Sequence, residues 1–297
     1  MSTFKSGFVS IMGRPNVGKS TLLNAMLGEK IAIVSNKPQT TRINVQGILN
    51  RPDSQIVFID TPGYHSARDS INKMMVQQAV DSVEMVDIIL LMVQPDEKKD
   101  GREFKNLVEI LKGVNCKVFL LINKVDNYSK EDTFKAAEKF FPELDFAEVV
   151  PLSALRDKNV DTLVELIEKH LPEGEQMFDR EEITTLPEKL LISEYIREQV
   201  FERLREEIPY NVMVETEKVE DVSEDRMEIS ASIIVNRESH KGMVIGKQGS
   251  MLKEIGTSAR KNLEHFFGVK IHLQLWVKVR GDWQSNSEYL RIQGLSE

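Results

Sequence analysis

The stretch Gly13-Arg14-Pro15-Asn16-Val17-Gly18-Lys19-Ser20 decides the fold of the first half of this chain. It matches the phosphate-binding loop pattern G-x-x-x-x-G-K-[ST] at every fixed position. The pattern has a mechanism. Its glycines let the backbone fold tightly, so that successive N–H groups point at phosphate oxygens. Lys19 places a compact cation on the outer phosphates, and Ser20 offers a hydroxyl to Mg²⁺. The flanks agree with the letters. Residues 8–12 (FVSIM) read as a buried strand, and residues 20–27 (STLLNAML), with Thr21 in the first turn, read as a helix. The helix N-terminus adds its dipole to the anion site. A chance glycine-rich turn would not come with both flanks.

Two further tetrads follow the same logic. Asp60-Thr61-Pro62-Gly63 closes the apolar run 56–59. An Asp at a strand end can hold Mg²⁺ through its water shell, and the Gly63 N–H can reach a terminal phosphate. Alone this tetrad is good turn chemistry; after a phosphate loop it reads as part of the site. Asn123-Lys124-Val125-Asp126 closes the run 118–122. A carboxylate such as Asp126 can accept from both N1–H and the exocyclic amine of guanine. Adenine offers neither group, which leaves the carboxylate unpaired. The tetrad therefore implies GTP and GDP in preference to adenine nucleotides. Ser153-Ala154, after the strand 149–152, is expected to add a backbone N–H to the guanine carbonyl.

Between the first two motifs lies Pro38-Gln39-Thr40-Thr41-Arg42. A threonine here can complete the Mg²⁺ shell when the third phosphate is present, ordering the loop with GTP and releasing it after hydrolysis. Thr41 is preferred to Thr40; a turn or capping threonine is the plain alternative. Many GTPases carry a glutamine after the glycine of the second motif to orient the attacking water. This chain has Tyr64 there, so the expectation is slow intrinsic turnover, or water positioned by backbone and ions. Asn16 has two readings: its side chain bridges a monovalent cation such as K⁺ to the phosphates, or it merely tolerates the loop's backbone. Lys19, Asn16, Thr41 and Gly63 are the residues expected to act on the transferred phosphate.

The rest of the chain organises around these motifs. Up to residue 171, β-rich runs (8–12, 56–59, 88–93, 118–122, 148–152) alternate with helical stretches (20–27, 71–85, 102–113, 133–141, 159–169). Such alternation implies right-handed βαβ units and a mostly parallel sheet with helices on both faces. Residues 44–50 add an antiparallel edge strand beside 55–59. The domains expected are 1–171, an α/β nucleotide-binding domain; 172–187, a linker with Pro172, Gly174 and a run of acids; and 188–297. In the last, a helix over 188–208 ended by Pro209, strands 211–222 and 226–235, a glycine-rich turn, a helix over 250–267 and a strand over 270–279 make α-β-β-α-α-β.

Composition bounds the class. Apolar residues make up 41% and charged residues 29% of 297, as in a globular protein. The longest apolar runs are too short to span a bilayer. No signal-peptide pattern precedes the first strand. Cys116 is the single cysteine and excludes an intramolecular disulfide; an inert buried thiol is expected. These features favour the cytoplasm. The net charge of −8 speaks against nucleic acid, but its distribution reverses that. Residues 236–280 hold nine Lys/Arg against three acids, a net +6, so the remainder carries −14. Sorted charge points to a partner.

The basic segment contains Val244-Ile245-Gly246-Lys247-Gln248-Gly249-Ser250. A G-x-x-G turn between two helices brings backbone close to a nucleic-acid backbone; with α-β-β-α-α-β order it is the KH clamp on single-stranded RNA. Lys241, Ile245, Gly246, Lys247, Gln248, Gly249 and Lys253 are the expected contacts. An ordinary helix–helix turn would not gather the positive charge. Trp276, Trp283, His272, Phe266 and Phe267 lie close by, some of them in the core by alternation.

Taken together, GRPNVGKS, QTTR, DTPG, NKVD and SA in this order, with VIGKQGSMLKEIG and LQLWVKVRGDW in the tail, make the chain resemble the Era family of bacterial GTPases over essentially its whole length. The resemblance implies a Ras-like P-loop GTPase domain followed by a type II KH domain. It implies binding of the 16S ribosomal RNA 3′ end, assistance to 30S subunit biogenesis under control of the nucleotide state, and peripheral association with the inner face of the cell membrane. It also implies K⁺ stimulation through the Asn16 position and the absence of a catalytic glutamine. A monomer is the expected state. A membrane-linked signalling GTPase whose KH domain binds protein is the alternative, and the basic segment discriminates against it. A metabolic NTPase would need a second substrate constellation, which the sequence lacks.

Overall fold

A computed structural model describes residues 4–35, 37, 40–63, 86–204, 208–281, 283, 286 and 290. Two compact units form: residues 1–32 with 41–185, and residues 33–40 with 186–297.

The first unit comprises β1 (Lys5–Gly13), α1 (Lys19–Leu27), β2 (Val45–Asn50), β3 (Ser54–Asp60), β4 (Ile88–Val93), α2 (Arg102–Leu111), β5 (Lys117–Ile122), α3 (Lys130–Phe140), β6 (Phe146–Pro151) and α4 (Val160–His170). The strands form one sheet of order β2-β3-β1-β4-β5-β6. All neighbours are parallel except β2, which pairs antiparallel with β3 as expected for an edge. The run Ile-Ile-Leu-Leu-Met-Val of β4 is wholly buried, because helices on both faces leave a central parallel strand no solvent side. Helix α2 buries Phe104, Leu107, Val108 and Leu111, an i, i+3, i+4, i+7 stripe. Phe104 meets Phe140 of α3 at a ring separation of 5.0 Å. Helix α3 begins with a capping box, in which the Ser129 hydroxyl accepts from Asp132 N–H at 3.0 Å. Strand order reverses at β1, which lies between β3 and β4, and ligand crevices form at such switch points.

Residues 172–185 are fastened to this unit. Ile48 N–H donates to Ile183 O at 2.9 Å, and Gln55 Oε1 accepts from Met177 and Phe178 N–H at 2.7 and 2.9 Å. The Pro- and acid-rich stretch thus covers the outer edge of β2, where unpaired backbone groups would otherwise face solvent. Cys116, just before β5, is half-buried, where full burial was expected.

The second unit comprises α5 (Glu188–Arg203), β7 (Val212–Ser223), β8 (Arg226–Val235), α6 (Glu238–Ile245), α7 (Ser250–Phe267) and β9 (Lys270–Val279), the expected α-β-β-α-α-β. Its sheet has order β7-β8-β9, antiparallel then parallel. Ile192, Tyr195 and Val200 of α5, Ile229 and Ile233 of β8, and Ile255, Ala259 and Leu263 of α7 share its core. Helix α5 stops at Arg203, short of the expected residue 208; Leu204 is already extended. The ammonium of Lys37 donates to the carbonyls of Phe201 and Leu204. A cation satisfying terminal carbonyls stabilises a helix end there. Tyr64, the helix expected over 71–85, and Pro38 and Gln39 lie outside the described residues.

Candidate functional site

The phosphate loop joins the carboxyl end of β1 to α1. Asn16 sits in the left-handed region at φ 60°, and Gly18 at φ 110°. A Cβ on Gly18 would stand 2.3 Å from Asn123 Nδ2, so both the backbone angle and the neighbour require glycine there. Asn123 donates from Nδ2 to Val17 O at 2.8 Å. Lys124 Nζ donates to Asn16 O at 2.6 Å. The third motif therefore braces the first as well as preceding Asp126.

Lys19 is buried and donates to Gly13 O and Arg14 O, both at 3.2 Å. Burial lowers its pKa to about 8, against the opposing charges of Asp60 and Glu97. Asp60 is fully buried, and burial raises its pKa to about 6 against Lys19 and the Ser20 hydroxyl. The Ser20 hydroxyl donates to Asp60 Oδ2 at 2.5 Å and lies 2.9 Å from Thr41 Oγ1. Asp60 Oδ1 is buried with no hydrogen-bond partner among the described residues. One orphaned carboxylate oxygen beside two convergent hydroxyls is a hard-oxygen donor set that fits Mg²⁺. The hydroxyl of the neighbouring Thr40 is turned to Lys37 O at 2.8 Å instead, so it is Thr41 that stands beside Ser20. Thr61 donates to Ile11 O at 2.8 Å and serves the fold. Pro62 and Gly63 are buried, and a Cβ on Gly63 would come within 2.7 Å of Pro15 Cα; the second motif packs directly on the first. Thr21 is half-buried in the first turn of α1.

Asp126 lies in a short 3-10 turn and is exposed. Ser153 and Ala154 are buried, and their N–H groups are engaged within the fold. Ser153 donates to Lys158 O at 3.1 Å and Ala154 to Asn123 Oδ1 at 3.0 Å. For either to reach a guanine carbonyl, that bond must be shared or the loop must shift.

Residues 33–40 group with the second unit, and their anchors were not foreseen from sequence. Val34 N–H donates to Glu198 Oε1 at 2.9 Å, and Arg197 Nη2 donates to Thr40 O at 2.6 Å. Arg197 has no exposed surface and pairs with Glu194. The only available signal was a Glu-x-x-Arg-Glu pattern on a helix, which solvated helices share.

In the second unit, Gly246 (φ 72°), Gln248 (φ 51°) and Gly249 (φ 79°) turn the chain from α6 into α7. A Cβ on Gly246 would stand 2.6 Å from Met251 Cβ. Lys247, Gln248 and Lys253 are exposed, while Lys241 and Ile245 are half-buried. Not all of the basic segment is available. Lys278 pairs with Glu217 and Arg280 with Glu215 of β7, and Arg260 pairs with Glu264. Trp283 is buried, whereas Trp276 is 45% exposed.

Residues 8–124 match the family model described as 50S ribosome-binding GTPase, and residues 207–284 match the KH domain model. GTPase Era of Clostridium botulinum (strain Eklund 17B / Type B) is 45% identical over 291 residues, covering 98% of each chain. GTPase Era of Clostridium perfringens (strain 13 / Type A) is 44% identical, again over 98% of each. Among solved structures, Era in complex with MgGDPNP and nucleotides 1506–1542 of 16S ribosomal RNA matches at 40% identity and TM-score 0.93, covering 99% of this chain and 100% of that one. A variant of Aquifex aeolicus Era bound to GDP and tetrafluoroaluminate matches at 40% identity and TM-score 0.94 with the same coverage.

Proposed function

The chain belongs to the Era family of GTPases, and from that premise we propose that it couples GTP hydrolysis to binding of the 16S ribosomal RNA 3′ end during assembly of the 30S subunit. The single observation that carries the nucleotide half is the convergence of Lys19, Ser20, Thr41 and Asp60. For the RNA half it is the pair of exposed lysines at and just after the G-x-x-G turn, Lys247 and Lys253. The first family model spans only the nucleotide-binding half and carries a large-subunit description. One of the two neighbours that match along the whole chain holds 16S RNA, and the small-subunit reading rests on it.

Ser20, Thr41 and Asp60 would hold Mg²⁺. When bound, the ion neutralises charge on the phosphate oxygens. Lys19 takes the outer phosphates in exchange for the Gly13 and Arg14 carbonyls it now contacts. Asp126 reads guanine, and Gly63 N–H faces the third phosphate. With tyrosine at position 64, no side-chain amide orients water there, so intrinsic turnover is slow. Asn16 is offered as a K⁺ ligand; its left-handed backbone also supports the plainer conformational role. Thr41 follows Thr40, whose carbonyl is held by Arg197 of α5. That sequence of contacts supports control of RNA binding by the nucleotide state. The domains proposed remain 1–171, 172–187 and 188–297. A monomer in the cytoplasm, with peripheral contact at the inner face of the membrane, rests on family membership. No described helix is long and apolar enough to cross a bilayer.

The test uses the full chain and the single-stranded 3′ segment of 16S RNA. Replacing Gly246 and Lys247 with Asp should reduce affinity at least tenfold while GTP turnover persists, since phosphate contacts supply much of such binding. Unchanged affinity would place RNA binding elsewhere. Turnover in KCl should exceed that in NaCl; equal rates would remove Asn16 from the chemistry.

A further inference from the structure

Glu97 is a buried acid with no role so far. It follows β4 in a turn closed by Glu97 N–H to Gln94 O at 3.0 Å. Only 4% of its surface is exposed. Its carboxylate accepts one long backbone bond, from Gln94 N–H to Oε2 at 3.4 Å. Lys139 of α3 donates to its backbone carbonyl. Arg14 faces the carboxylate, with Nε 3.9 Å from Glu97 Oε1. The same Nε lies 2.9 Å from Oε2 of Glu103 on α2. The second residue of the phosphate loop is thus held by two carboxylates that lie outside the loop.

The backbone of Arg14 is where that hold matters. Its carbonyl accepts from Val17 N–H at 3.4 Å and from Lys19 Nζ at 3.2 Å. Restraining the guanidinium restrains this peptide, and with it the loop that wraps the phosphates. We infer that Glu97 and Glu103 are positioning residues for the phosphate loop, acting through Arg14 to slow nucleotide release. The inference rests on reading this loop as the nucleotide site.

The charge on Glu97 is variable near neutrality. Burial pushes its carboxyl up to about 7, with Arg14, the Gln94 N–H and Lys139 opposing and Asp96 adding. Lys19 on α1 also feels its charge. Above about 7 the carboxylate is ionised and both acids hold Arg14. Below it Glu97 takes up a proton and its hold on Arg14 weakens. Retention of nucleotide should therefore strengthen as pH rises through about 7. Asp60 and Lys19 titrate on either side, at about 6 and about 8, so the contribution of Glu97 is read as the difference between wild type and Glu97→Gln.

The experiment measures release of a fluorescent GDP analogue from the full Mg²⁺-loaded chain between pH 6 and pH 8.5. Glu97→Gln should release nucleotide about twofold to fivefold faster than wild type at pH 8 and equally fast at pH 6, the size expected of a half-exposed ion pair. In an Arg14→Ala background the same substitution should change nothing further. An offset equal at both pH values, or one that survives in Arg14→Ala, overturns the inference. Glu103→Gln provides a second arm. It should enlarge the pH dependence, because Glu97 becomes the one acidic partner of Arg14 left among the described residues; a smaller or unchanged dependence also overturns it. Failure of wild type to bind the analogue at all would sink the nucleotide reading instead.

Discussion

Asp60 shows how a single residue can be costly to the bare fold and still suit the proposed Mg²⁺ site. Its carboxylate is buried against Lys19, with one oxygen on Ser20 and the other unpaired. Burial disfavours its charge, so its pKa rises to about 6. Protons then compete with a metal ion for the site. Below about 6 the carboxyl is neutral and a poor Mg²⁺ ligand; above it the ligand is ready. Mg²⁺-dependent GDP affinity should be about fourfold weaker at pH 5.5 than at pH 7.5 from this group alone. Calorimetry at the two pH values checks it, and Asp60→Asn should flatten the difference. Asp126 makes a second prediction at this scale. Asp126→Asn should exchange GTP preference for XTP preference by about 10²-fold or more, because xanthine carries a carbonyl where guanine has its amine. An unchanged preference in competition binding would reject the assignment.

At the scale of elements, α5 is the informative helix. Its apolar positions fill the second unit's core, yet Glu194, Arg197 and Glu198 on it are buried as well. Residues 33–40 account for this, since Arg197 and Glu198 bind their backbone. Removing one member of a buried charged pair leaves the other uncompensated. Arg197→Ala should therefore destabilise the second unit by about 3–5 kcal/mol. Both tryptophans, Trp276 and Trp283, belong to that unit, so denaturant unfolding followed by tryptophan fluorescence reads the effect selectively. Arg197→Met, which keeps the packing, combined with Glu194→Leu should recover most of it. The capping box of α3 offers a smaller test, with Ser129→Ala expected to cost about 1 kcal/mol.

For the whole molecule, the relevant quantity is where charge lies. A chain of net −8 can bind an anionic polymer because a +6 segment surrounds the G-x-x-G turn. Folding refines that segment. Three of its cations are paired with Glu215, Glu217 and Glu264, while Lys247 and Lys253 remain exposed. The salt dependence of RNA affinity should follow such exposed cations and not the net charge. Replacing Lys247 and Lys253 with Gln should flatten the slope of log K against log salt by about 1.4, at about 0.7 per phosphate contact with single strands. Replacing Lys278 and Arg280 should leave the slope nearly unchanged. Filter binding across a salt series distinguishes the two sets.

Much of this architecture could be read from local patterns. The phosphate loop, the tetrads at strand ends and the apolar runs specify themselves, because strand, turn and helix preferences act over a few neighbouring residues. So the βαβ order, the α-β-β-α-α-β order and the nucleotide motifs were legible in the letters. What the letters could not carry were contacts between residues distant in sequence. That Thr41, and not Thr40, stands 2.9 Å from the Ser20 hydroxyl appears only in the fold. The carbonyls at the end of α5 are bound by Lys37, far upstream. Residues 172–185 read as a linker because their composition is polar, yet their backbone finds partners along β2 and β3. Glu97 looks in sequence like any surface acid. Burial beside Arg14, decided by the packing of β4, α2 and α3 around the loop, gives it a charge that can change near pH 7. The sequence by itself determined the elements, their order and the chemistry of the motifs, since those follow from short-range preference. The tertiary structure alone decided which charges are buried, paired or free, since desolvation and distance exist only once the chain has folded.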